Sequence, residues 1–74
     1  MKGEQARRKL GQAFRRRREK LSISQEAFAD QVGMHRTYYS GVERGERNLT
    51  LSTMVKVADG LGAKLADVMA DAGL

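Results

Sequence analysis

The chain has 74 residues, with 14 Lys and Arg against 9 Asp and Glu, and no cysteine, proline or tryptophan. That length suits one domain with one core, burying roughly 60–65% of the unfolded surface, so stability is marginal and a partner subunit helps; the missing cysteine excludes disulfides, thiolate metal sites and thiol nucleophiles. No apolar run is long enough to span a bilayer and the first twenty residues are too polar for a secretory signal, so a soluble, cytoplasmic protein without a membrane partner is expected.

The charge is unevenly distributed. Met1 to Lys20 holds nine basic and two acidic residues, whereas the remainder holds five basic and seven acidic. The basic character therefore lies in the first predicted helix, about 4–20, as a general attraction for nucleic acid phosphates or anionic lipid rather than a dedicated site. Leu10, Ala13, Phe14, Arg17 and Leu21 recur there at three- and four-residue steps, with the aliphatic stem of Arg17 expected along the core edge.

Ser24 offers a hydroxyl cap for a second helix, about 25–32, with Glu26 in its first turn and Gly33 after its end. Its apolar side is Ala27, Phe28 and Val32. The third helix, about 35–44, turns Tyr39 and Val42 inward, leaves Arg36, Thr37, Ser40 and Gly41 on other faces, and stops at Gly45. Thr50 caps the fourth, about 51–61, where Leu51, Met54, Val55, Ala58 and Leu61 repeat until Gly62. A fifth, about 64–72, turns Leu65, Val68 and Met69 inward from a poor cap. With no strand alternation, the expectation is an all-α, compact five-helix domain over 1–74.

Two short helices joined by a turn containing Gly33 suggest a helix-turn-helix. Ala29 is small enough for a close crossing, Gly33 tolerates positive φ, and Tyr39 and Val42 lie three apart on the inner face of the second member. In one register, from Leu10 to Met69, the chain resembles the lambda-repressor-like DNA-binding domain of the phage-repressor and Cro-like (Xre-type) regulators, most strongly in "SQEAFAD", "VGMHR" and "ERG". The stretch "HRTYYSGVERGERNLT" is similar to that of the controller proteins of restriction–modification systems.

The resemblance implies that the third helix enters the major groove of double-stranded DNA. Arg36 and Thr37 then read base edges, with Tyr38 and Ser40 near the same surface. Gly41 offers no side chain where relatives often carry a base reader, which shifts specificity toward DNA shape. Gln25, His35, Arg44, Arg47 and Asn48 are the expected phosphate contacts, His35 also serving as a helix cap. Arg18 and Glu43 match the family's buried or half-buried ion pair.

One such helix reads too few base pairs alone, so the family pattern implies a homodimer on an inverted repeat, with Leu49, Leu51, Leu61, Leu65 and Met69 as candidates for its interface or, equally, for the core. RNA polymerase is a further partner if the protein activates. No catalytic residue, metal site or cofactor is expected: the single histidine stands beside an arginine, without a carboxylate or second histidine at useful spacing. The expected function is sequence-specific control of transcription. The alternative is an antitoxin-like or other protein-interaction module, against which the DNA-competent residues Gln25, Arg36, Thr37, Arg47 and Asn48 argue.

Overall fold

The computed structural model describes residues 2–74 as five α-helices: α1 Gly3–Lys20, α2 Gln25–Gln31, α3 Arg36–Glu43, α4 Leu51–Gly60 and α5 Leu65–Asp71. There is no strand among the described residues. Three of the helix starts rest on side-chain caps. The Ser24 hydroxyl accepts from the Ala27 amide at 3.1 Å, His35 Nδ1 from the Thr37 amide at 3.2 Å, and Thr50 Oγ1 from the Thr53 amide at 3.2 Å. Lys64, which precedes α5, makes no such bond.

All five helices contribute to one core. Leu10, Ala13 and Phe14 of α1 meet Phe28 and Ala29 of α2 and Tyr39 and Val42 of α3, with Val57, Ala58, Leu61 and Val68 closing the far side. The Phe28 and Tyr39 rings lie 5.0 Å apart between centroids and tilted by 53°, a favourable edge-inclined contact that ties α2 to α3. Between them Gly33 takes φ 71°, the left-handed conformation that lets the chain turn tightly.

The helix faces differ from the sequence expectation in three places. On α1 the innermost stripe runs through Leu10, Gly11, Phe14 and Arg18, with Arg17 half-buried at its edge and paired with Asp71 of α5 at 2.7 Å, but Leu21, at the helix end, is 48% exposed. Ala27 is exposed, because α2 is only seven residues long and the Phe28–Ala29 side faces the core. On α4 the fully buried residues are Val57 and Ala58, while Leu51 and Val55, one turn apart, are 66% and 40% exposed.

Gly11 decides how closely α1 approaches α3. A Cβ placed there would stand 2.5 Å from the carbonyl oxygens of both Val42 and Glu43. Those atoms belong to a backbone and cannot rotate aside. Gly11→Ala is therefore expected to destabilise the fold by about 1–3 kcal/mol despite alanine's better helix propensity, read as a lowered Tm; an unchanged or raised Tm would show that the crossing is not tight.

Candidate nucleic-acid interface

The α2–turn–α3 unit presents one side of α3 to solvent. Tyr39, Gly41, Val42 and Glu43 are buried, while Arg36, Thr37 and Arg44 are exposed and Ser40 is half-buried. Arg36, Ser40 and Arg44 fall four residues apart, in a row along the outer face. The side chains along this row are positioned by neighbours. Arg36 Nη1 lies 2.8 Å from Glu26 Oε2, Arg44 donates to the Ser40 hydroxyl, and Arg44 Nη2 is 3.0 Å from Glu46 Oε1. Capping through Nδ1 requires a lone pair there, so a neutral His35 carries its ring proton on Nε2.

Gly41 has a specific consequence. A Cβ at Gly41 would come within 2.9 Å of Arg47 Nε, so the missing side chain makes room for Arg47 to fold back from the loop after α3. Its guanidinium carbon sits 5.2 Å from the centre of the Tyr38 ring, a cation–π arrangement that orders both groups. Thus Arg47, from the loop, occupies space beside the helix that Gly41 leaves open.

Beneath this surface lies an ion pair. Arg18 Nε donates to Glu43 Oε2 at 2.7 Å and Arg18 Nη2 to Glu43 Oε1 at 3.1 Å, with the two side chains 9% and 2% exposed. Arg18 Nη1 also donates to the Ile23 carbonyl at 2.6 Å, and Gln25 Nε2 donates to Glu43 Oε1 at 2.8 Å. The end of α1, the start of α2 and the end of α3 are therefore joined through one carboxylate. Burial alone would push the Glu43 carboxyl up, but the Arg18 guanidinium, with the neighbouring Tyr39 hydroxyl and Gln25 amide, outweighs it and holds the group below its ordinary value. The Glu43 contact correspondingly raises Arg18. Burial, reinforced by the neighbouring Glu43, raises the Tyr39 hydroxyl, which has no hydrogen-bond partner of good geometry among the described residues.

Gln25, Arg36, Ser40 and Arg44 line a common polar cleft of about 610 Å³. Arg15 and Glu26 line it too; the sequence signal for Arg15 was its place in the basic run, whereas nothing distinguished Glu26 from a favourable first-turn acid. Asn48 is not part of that cleft. It borders a smaller apolar one of about 260 Å³, with Leu49, Met54 and Met69. Of the apolar residues considered for an interface, Leu61 belongs to the core, Leu49, Leu65 and Met69 are half-buried against it, and Leu51 is exposed.

This architecture has clear relatives. A family model described as helix-turn-helix matches residues 14–68. The chain belongs to the Xre/Cro-like helix-turn-helix family of DNA-binding regulators. It is similar to the control protein C.MunI of a Mycoplasma species, 46% identical over 55 residues and covering 74% of each chain. The crystal structure of the restriction–modification controller protein C.AhdI from Aeromonas hydrophila superposes with a TM-score of 0.78 at 38% identity, covering 82% of this chain and 92% of that one. The controller protein C.Esp1396I, solved as a tetramer in complex with its natural 35 base-pair operator, matches at TM-score 0.79 and 25% identity over 93% of this chain and 96% of its own. No helix among the described residues is long and apolar enough to cross a membrane.

The Arg18–Glu43 pair yields a stability test with two parts. Removing one partner of a buried pair costs about 3–5 kcal/mol, against a total of about 4–11 kcal/mol for a domain of this size. Glu43→Ala is thus expected to remove a large share of the stability and lower the Tm sharply, and an unchanged Tm would refute the role. Because the folded Glu43 pKa is lowered, its stabilisation is complete above about pH 4.3 and is lost as the pH falls through the folded value. Between pH 7 and pH 3 the Tm of the wild type should fall more steeply than that of Glu43→Gln, which has no proton to gain.

Proposed function

We propose that this protein is a sequence-specific transcriptional regulator that binds an inverted-repeat operator as a homodimer and acts as the controller of a restriction–modification system. The carrying observation is the exposed row on α3: Arg36 at its N-terminal end, Thr37 beside it, and Ser40 and Arg44 behind, on a helix whose other side is fixed in the core. Arg36 suits bidentate donation to guanine O6 and N7, and Thr37 offers a hydroxyl and a methyl toward thymine. Tyr38 and Ser40 complete the base-facing set. Gln25, His35, Arg44, Arg47 and Asn48 serve the backbone, where they set register and salt dependence.

Gln25 fits this role in a particular way. One amide hydrogen is used on Glu43, which holds the side chain at the start of α2 and leaves the second for a phosphate oxygen. Dimerisation is supported by the exposed Leu51 and Val55 and by the apolar cleft bordered by Leu49 and Met69; Leu65 is half-buried against the core and Leu61 lies within it. The similarity to C.MunI and C.AhdI supports the controller reading, and the operator-bound C.Esp1396I tetramer supports assembly on DNA. RNA polymerase joins the partners if the operator position makes the protein an activator. The site of action is the cytoplasmic nucleoid, and residues 1–74 act as one DNA-binding domain.

Selection of bound duplexes from a random pool near physiological salt is expected to enrich an inverted repeat. Arg36→Ala should relax the preference at one or two pairs per half-site, at about 1–3 kcal/mol each. Weak, salt-sensitive binding without a motif would overturn the regulator reading. For Gly41→Ala, the added methyl displaces Arg47 while alanine favours the helix by up to about 1 kcal/mol. The variant should keep or raise its Tm yet bind the selected duplex more weakly; undiminished affinity would remove Arg47 from the interface.

A further inference from the structure

The polar cleft beside α3 does not end at the helix-turn-helix. A second concavity, lined by Arg8, Gln12 and Arg15 of α1 together with Glu43, Arg44 and Glu46, shares Arg15, Glu43 and Arg44 with the first. The two make a continuous trough from Arg36 across Arg44 to Arg8. Its course follows from the tight crossing described above: Gly11 lies on the carbonyls of Val42 and Glu43, which brings the flanking α1 surface level with the exit of the recognition helix. Arg8, Gln12 and Arg15 are spaced by four and three residues and so form one row, with the two arginines about 10 Å apart along the axis.

We infer that this α1 row is a second phosphate-binding edge, in which Arg8 and Arg15 grip the DNA backbone alongside Arg44. The proposal rests on the reading of the chain as a DNA-binding protein and extends it from the helix-turn-helix to α1. Continuity with the α3 surface and the exposed, weakly paired guanidinium groups of Arg8, Arg15 and Arg44 support DNA as the occupant. In the free protein each arginine is matched by a carboxylate on its own helix, Arg8 with Glu4 at 3.1 Å and Arg15 with Glu19 at 3.3 Å, all four side chains being more than half exposed. Such exposed pairs contribute little to stability. They keep the guanidinium groups extended along the row, and a phosphate can replace the carboxylate at small cost.

The inference separates Arg8 and Arg15 from the rest of the basic run. Lys9 lies on the same helix and is exposed, but borders neither concavity. The test measures affinity for the duplex recovered by selection across a salt series, using wild type, Arg8→Gln, Arg15→Gln and Lys9→Gln, each first checked for an unchanged Tm. Loss of one phosphate contact from each protomer of a dimer should lower the slope of log affinity against log salt by about 1.8, with affinity falling on the order of tenfold. Arg8→Gln and Arg15→Gln are expected to show this, and Lys9→Gln to keep the wild-type slope. Equal effects of all three substitutions, or none, would overturn the α1 edge and leave only a diffuse attraction. Failure of the wild type to recover any motif would instead remove the DNA reading beneath it.

Discussion

A single carboxylate organises the helix-turn-helix of this protein. Glu43 is the last residue of α3, and the groups that reach it come from the end of α1 and the start of α2, so its position is constrained by the three elements that must be mutually fixed for a recognition helix to be held rigidly. Burying the ion is tolerable because both carboxylate oxygens are hydrogen-bonded and the arginine also reaches the Ile23 carbonyl. The same pair requires α1 and α3 to lie close together. Gly11 provides that approach, and the recognition helix is consequently clamped at its C-terminal end while its N-terminal residues remain free for contact.

The surface is organised differently. Arg8, Arg15, Arg36 and Arg44 each have a carboxylate partner, but these pairs are exposed and individually weak. They orient without immobilising. Arg18 is paired where water cannot compete, and serves the fold; the others are paired where a phosphate or a base edge can compete, and so suit binding. Residue type alone does not separate these roles, since burial sets the cost of breaking each pair.

Much of the architecture was legible because its signals are local. Caps at Ser24, His35 and Thr50, the turn at Gly33 and the inward pair Tyr39 and Val42 are consequences of backbone geometry acting over a few residues. The Arg18–Glu43 partnership was legible only through resemblance, since 25 residues separate the two. Where helices offer more than one apolar face, periodicity misled: Leu21, Ala27, Leu51 and Val55 read as inward and are exposed, while Val57 fills the core. The choice depends on which neighbour each helix meets, a non-local fact.

Caps, glycines and three- and four-residue spacings act along the chain, and they set the number and order of the helices, the helix-turn-helix and the polar character of the face that α3 presents. Only the packed fold shows that Val57 rather than Val55 fills the core, that Arg47 fills the space beside Gly41, that Gln25 is tied to Glu43, and that Arg8 and Arg15 continue the trough beside α3. Each of these depends on the distance between helices remote in sequence, and that distance is set by packing around Gly11 and the Arg18–Glu43 pair.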